Sequence, residues 1–74
     1  MSKNYIRKKF INKIIDELEE ENTIVENGIR YFVGDFNAIK WKVENLFFNK
    51  IISDAERLYI LGALIIHMNY LSTK

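Results

Sequence analysis

The dipeptide Asn27-Gly28 constrains this chain more than any other feature. It joins two runs of β-branched and aromatic residues within TIVENGIRYFVG, residues 23–34. Asn-Gly tolerates the positive φ angles of a two-residue type I′ turn, so the stretch predicts an antiparallel β-hairpin. A loop of this length also fixes the register. The predicted cross-strand pairs are Thr23 with Phe32, Ile24 with Tyr31, and Val25 with Arg30.

Side chains alternate along a strand, which divides the hairpin into two faces. One face carries Ile24, Ile29, Tyr31 and Val33. The other face carries Val25 and Phe32 beside Arg30 and Thr23. The first face is the more apolar of the two. We therefore count Val25 and Phe32, on the second face, as apolar side chains beyond those that the core of the domain needs.

Three further segments have the three- and four-residue apolar spacing of amphipathic helices. The first spans residues 4–21. The second spans about 36–49, with Asp35 as its N-cap, and the third begins at the capping box Ser53-Asp54-Ala55-Glu56. The order α-β-β-α-α predicts one α+β domain over residues 1–74, with three helices and a two-stranded antiparallel hairpin. The apolar positions of the first two helices are Ile6, Phe10, Ile11, Ile14, Ile15, Leu18, Phe36, Ile39, Val43, Leu46 and Phe47.

The third helix has two apolar stripes. Its broad arc consists of Leu58, Leu61, Leu64, Ile65, Met68 and Leu71, and a separate line consists of Tyr59, Ala63, Ile66 and Tyr70. One interpretation is a central helix that packs on both sides within its own domain. The other is that Tyr59, Ile66 and Tyr70 contact a second molecule, either another copy or a different protein. Gly62 costs about 1 kcal/mol relative to alanine in mid-helix, which close approach of a neighbouring element would offset.

The size of the chain favours association. It has 74 residues, no cysteine and one histidine, so disulfides and a structural metal are poor candidates for stabilising a small core. The lack of cysteine, of a signal-like N-terminal segment and of a long apolar run leads us to expect a soluble cytoplasmic protein without a membrane partner.

We expect neither catalysis nor a cofactor. No nucleophile with a base in reach and no phosphate-binding glycine pattern is recognisable. His67 stands alone on an apolar helix, which favours a hydrogen-bonded histidine over a metal ligand. Asp16 and Glu20 share one helix face, and we expect solvation there rather than a bound cation.

Charge is concentrated in the first helix, although the formal net charge is only +1. An acidic block is a candidate for electrostatic docking on a basic protein surface. The preceding cations are candidate nucleic-acid contacts, a weaker hypothesis because acid follows within two turns. The acidic residues are Asp16, Glu17, Glu20 and Glu21, and the basic ones are Lys3, Arg7, Lys8 and Lys9.

Trp41 and Phe48 carry the functional hypothesis. They are seven residues apart on the second helix, roughly opposite Val43, and either cover the hairpin or form an exposed contact surface. Together with the surplus stripe of the third helix, they predict a non-enzymatic protein-binding module, either as a homodimer through that helix or on a larger partner. The Asn-, Ile- and Lys-rich, proline-free composition is typical of low-GC bacteria and their phages, so a phage-encoded inhibitor or accessory factor is one form of this hypothesis. The alternative is a small dimeric DNA-binding regulator.

Overall fold

A computed structural model of the protein describes residues 5–73. The predicted order of helices and strands is confirmed, and a short third strand is added at the C-terminal end. The elements are α1 (Lys8–Glu21), β1 (Thr23–Glu26), β2 (Ile29–Phe32), α2 (Phe36–Phe48), α3 (Asp54–Tyr70) and β3 (Ser72–Thr73).

The hairpin has the predicted register. Thr23 pairs with Phe32 and Ile24 with Tyr31 in antiparallel order. The turn residues Asn27 and Gly28 have φ angles of 53° and 77°, the signs that a type I′ turn needs. Strand β3, which has only two residues and no pattern of its own, pairs with β2 in parallel, so the sheet order is β1-β2-β3.

The assignment of Phe32 to the surplus face is wrong. Phe32 is half-buried and packs against the hydrophobic core, whereas Ile24, Ile29 and Val33 on the opposite face are exposed. The reason lies in the junction with α1, where the Thr23 hydroxyl donates to the carbonyl of Glu19 at 2.9 Å. That contact ties the Thr23 side of the hairpin to the helix, and Phe32 is the cross-strand neighbour of Thr23.

The core lies between the three helices. Helix α3 contacts both α1 and α2, which makes it the central helix. Among the described residues, every fully buried apolar side chain is aliphatic and comes from one of the helices or from the α2–α3 connector. These residues are Ile11, Ile15, Leu18, Ile39, Val43, Ile52, Ile60 and Leu64.

The orientation of α3 differs from the expectation. Leu58 and Ile65, which the sequence pattern assigned to the larger arc, are exposed. The buried line is Glu56, Ile60 and Leu64, at successive four-residue steps. The first residue of the buried face of α3 is therefore the carboxylate Glu56. Hydropathy alone does not predict that this residue is buried.

Glu56 is 1% exposed and fully hydrogen-bonded. Its carboxylate accepts from the Arg7 backbone N–H at 3.0 Å and from the Arg7 guanidinium at 2.9 and 2.8 Å. It also accepts from the backbone N–H of Ser53 at 2.9 Å, and the Ser53 hydroxyl accepts from the N–H of Glu56, which confirms the predicted capping box. The guanidinium of Arg7 donates in addition to the carbonyl of Ile51 at 2.8 Å.

This contact also explains where α1 begins. The helix starts at Lys8 rather than at residue 4, because Arg7 has a non-helical ψ of 82°. In that conformation its N–H points to Glu56 instead of into a helix turn. The start of α1 and the start of α3 are thus joined by one carboxylate.

The molecule is elongated. Its principal extents are 47 × 20 × 16 Å and its radius of gyration is 13.1 Å, against about 11 Å for an average compact chain of this length. Within the described residues, no helix has the length and apolar character needed to cross a membrane. An elongated shape leaves more of a small chain in contact with solvent, and several large apolar side chains lie in that surface.

The Arg7–Glu56 contact predicts a specific acid sensitivity. Hydrogen bonds from the Arg7 side chain lower the pKa of Glu56 from 4.5 to about 2. Because the folded-state pKa is depressed, the stabilisation is complete above about pH 4.5 and is lost as the pH falls from there towards 2. We expect Glu56→Gln to lower the free energy of unfolding at pH 7 by about 2 kcal/mol and to remove this part of the pH dependence.

Urea unfolding of both proteins between pH 2 and pH 7 measures the effect. Glu17→Gln is the control, since Glu17 is an exposed carboxylate on α1. Parallel stability curves for wild type and Glu56→Gln below pH 4.5 would contradict the assignment.

Candidate functional site

Helix α2 presents Trp41 and Phe48 to solvent. Both side chains are 67% exposed, while Ile39 and Val43 on the other side of the helix are buried in the core. The first turn of the helix is capped by Asp35, whose carboxylate accepts from the N–H of Asn37 at 3.0 Å, as the sequence predicted. The core contacts fix the rotation of α2, and that rotation places both aromatic rings outside.

The two rings border an open groove of about 500 Å³, which we call the aromatic groove. Most of its lining lies along one face of α2, and one residue comes from the first turn of α3. The lining residues are Asn37, Lys40, Trp41, Glu44, Phe48 and Arg57. The groove is therefore built across the contact between two helices.

Arg57 is fixed in the groove by two carboxylates. Its guanidinium lies 2.8 Å from Glu44 and 2.6 Å from Asp54, and it stacks over the ring of Phe47 at 5.0 Å. The hydrogen bond to Asp54, followed by that to Glu44, raises the pKa of Arg57. A guanidinium held on three sides gives the groove a charged wall that would need little reordering if a partner bound there.

Phe48 has an aromatic neighbour of its own. Its ring lies 5.8 Å from that of Phe47, at an interplanar angle of 53°. Phe47 is half-buried against the core. The exposed ring therefore rests on a fixed one, which limits the entropy that binding would cost it.

The predicted stripe Tyr59, Ala63, Ile66 and Tyr70 is divided in the structure. Tyr59 and Ala63 are half-buried and pack against the core, and the Lys8 ammonium lies 5.7 Å from the Tyr59 ring. Ile66 and Tyr70 are exposed, Tyr70 by 84%. They lie on the outer side of α3 together with Leu58 and Ile65, which the sequence pattern assigned to the broad arc. We call the set Leu58, Gly62, Ile65, Ile66, Asn69 and Tyr70 the α3 face.

The aromatic groove and the α3 face are separate surfaces. A second groove, of about 370 Å³, lies along α3 and includes Leu58, Tyr59 and Ile66. None of the residues that line the aromatic groove belongs to it. The five residues proposed for protein binding thus belong to two surfaces, with Trp41 and Phe48 on one and Tyr59, Ile66 and Tyr70 on the other or at its edge.

The acidic docking residues are all exposed on α1. They are Asp16, Glu17, Glu20 and Glu21. Glu21 lies 3.3 Å from Lys42, which follows Trp41 on α2, so this acidic surface reaches the helix that carries the aromatic groove. Glu19 has a different position, with one carboxylate oxygen 2.6 Å from Nδ1 of His67 and the other 3.5 Å from Arg30. The expectation of a hydrogen-bonded histidine is confirmed.

Fewer residues of the basic cluster are free to contact nucleic acid than the sequence indicated. Lys3 lies outside the described residues. Arg7 is held by Glu56 and Ile51, so its guanidinium stabilises the fold and is not a free phosphate ligand. Lys8 and Lys9 remain as exposed cations at the start of α1.

Sequence reasoning did not assign Leu58, Ile65 and Arg57 to the candidate surfaces. Leu58 and Ile65 were assigned to the core, and Arg57 received no role in the groove. Arg57 had a usable signal, since Asp54 three residues earlier predicts an ion pair on one helix face. Leu58 and Ile65 had none, because apolar residues on both sides of α3 left its rotation undetermined.

No family model, curated protein or solved structure matches the chain.

The exposure of Trp41 and Phe48 predicts how alanine substitutions affect stability. We expect Trp41→Ala and Phe48→Ala to change the free energy of unfolding by roughly 0.5 kcal/mol, as for other surface positions. Ile39→Ala in the same helix serves as the buried comparison and should cost about 2 to 5 kcal/mol. Urea denaturation of the three variants measures this. A loss for Trp41→Ala as large as that for Ile39→Ala would place Trp41 inside the molecule.

Proposed function

We propose that this protein is a non-enzymatic protein-binding module that uses the aromatic groove. The observation that carries the proposal is the exposure of Trp41 and Phe48 beside an arginine held by two carboxylates. Tryptophan and arginine are enriched among the residues that dominate binding energies in protein interfaces. A surface that combines them in a fixed arrangement is suited to receive apolar side chains of a partner.

The energetics favour a small contact centred on two anchors. Trp and Phe side chains bury about 150 to 250 Å² each when fully covered, and both rings still have most of their surface open to water. Their truncation would cost roughly 2 kcal/mol or more each, the usual magnitude for residues at the centre of an interface. The surrounding polar residues would exclude water from these anchors and contribute less.

Charge on the neighbouring helix would orient the partner. Asp16, Glu17, Glu20 and Glu21 lie on α1, which the Glu21–Lys42 ion pair joins to α2. Clustered carboxylates raise the association rate with basic surfaces more than they raise affinity. We therefore infer that the partner has an apolar protrusion for the groove and basic residues beside it.

The mechanism that follows is steric. A bound module of this size covers part of the partner's surface and needs no chemistry of its own. An inhibitor or accessory factor, including one encoded by a phage, falls within this proposal.

Trp41 is the only tryptophan in the chain, so tryptophan fluorescence would report whether a partner covers this residue. We expect its emission in the free protein to be that of a solvated indole and to shift to shorter wavelength when a partner covers it. To find the partner, a photoreactive phenylalanine analogue is placed at position 41 in cells and crosslinked proteins are identified. Titration with the purified partner then gives the dissociation constants of wild type, Trp41→Ala and Phe48→Ala.

We expect each alanine variant to weaken binding by about 30-fold, which corresponds to about 2 kcal/mol. Val25→Ala is the matched control, because Val25 is equally exposed at 66% but lies on the hairpin. The photoreactive residue is also placed at position 25. If position 41 captures nothing beyond position 25, or if Trp41→Ala binds the captured protein as tightly as wild type, the proposal is wrong.

A further inference from the structure

The α3 face consists mostly of exposed apolar side chains and contains no charged residue. Leu58, Ile65 and Ile66 are each about half exposed or more, and Tyr70 is 84% exposed. Residues 58–73 contain no lysine, arginine, aspartate or glutamate. A soluble helix normally presents charged residues on its outer side, so a charge-free outer side requires an explanation.

Gly62 lies in the middle of this face, and no close contact among the described residues accounts for it. Among the described residues beyond its own helix turn, no atom lies within 4 Å of a Cβ atom added at Gly62. Its φ angle is not in the left-handed region, so the backbone there accepts any residue. Glycine weakens a helix at such a position. Close approach of another helix from outside the monomer would account for glycine at this position.

We propose that the α3 face binds a second copy of this chain, with the two α3 helices antiparallel and crossing at Gly62. Leu58 and Ile66 lie four residues before and four residues after Gly62. In an antiparallel pair, Leu58 of each copy is therefore level with Ile66 of the other, and the contact is the same from both sides. The absence of a side chain at Gly62 lets the two backbones approach at the crossing point.

The absence of charge favours a second copy over a different protein. A two-fold interface brings the same patch onto itself, so a charge near its centre faces its own equivalent. A patch with no charge avoids this repulsion, and homodimer interfaces are accordingly more apolar than contacts between different proteins. The formal net charge of +1 adds little repulsion between whole molecules.

A lipid surface fits less well. Helices that lie in a membrane interface combine an apolar face with lysines and arginines that contact lipid headgroups. Beyond Arg57, which is held by Glu44 and Asp54, α3 has neither residue type.

Self-association would make the molecule bivalent. The aromatic groove shares no residue with the α3 face, so a dimer would carry two copies of that groove. Two linked sites bind a partner that has two epitopes more tightly than one site does. The dimer itself does not depend on the function proposed for the groove.

Sedimentation equilibrium over a range of concentrations tests the proposal. We expect wild type to approach twice the chain mass of 8.8 kDa. Leu58→Glu and Ile66→Glu should each raise the dimer dissociation constant by at least about tenfold, because each introduces two carboxylates into the contact. Val25→Glu is the control at an exposed apolar position on the hairpin and should leave the constant unchanged.

Gly62→Ala distinguishes an effect on the dimer interface from an effect on folding. In the monomer the added methyl group meets open space and improves the helix, so at concentrations where wild type is monomeric its thermal midpoint should rise. In the dimer the same methyl group holds the helices apart, so the dissociation constant should increase. Opposite changes in the two measurements cannot come from a loss of folding.

Two results would overturn the proposal. One is a wild-type chain that stays monomeric up to millimolar concentration, whether or not it then binds vesicles of phosphatidylcholine. The other is a dimer whose dissociation constant is the same in wild type, Leu58→Glu and Ile66→Glu. Neither result affects the function proposed for the aromatic groove, because Trp41→Ala tests that separately.

Discussion

The carboxylate of Glu56 holds together parts of the chain that are far apart in sequence. It closes the capping box of α3 through Ser53 and accepts three hydrogen bonds from Arg7, 49 residues away. A buried carboxylate is costly unless its acceptor sites are occupied, and here they are. This one group therefore contacts the residue before α1 and the N-cap of α3, and it joins the starts of the two helices.

The rotation of α3 follows from that contact. With Glu56 turned inward, the residues four and eight positions later, Ile60 and Leu64, enter the core. The opposite side of the helix, centred on Gly62, is then turned outward whatever its hydropathy. A rotation that buried Leu58 and Ile65 would draw Glu56 away from Arg7. The polar contact therefore decides which residues of the two apolar stripes become surface, and both stripes are divided between core and surface.

Local signals in the sequence predicted the helices and the hairpin well. Asn27-Gly28, Asp35 and Ser53 each act over a few residues, and each has the structural role that its chemistry indicates. The side of the hairpin that faces the core and the rotation of α3 were not predictable in this way. They depend on the hydrogen bonds between Thr23 and Glu19 and between Glu56 and Arg7, which form only once the elements are assembled. Trp41 and Phe48 were recognisable in the sequence as an aromatic pair on α2, but whether they are exposed depends on how the elements assemble.

The small size of the core explains why so much apolar surface remains. The fully buried apolar side chains are aliphatic, and they fill the space between three helices that are 13 to 17 residues long. The rings of Trp41, Phe48 and Tyr70 lie outside this core. Exchanging these rings for charged residues would cost the fold little, whereas keeping them exposed lowers solubility. We propose that contacts with other molecules, made by α2 and α3 separately, account for their presence on the outside of a chain this small.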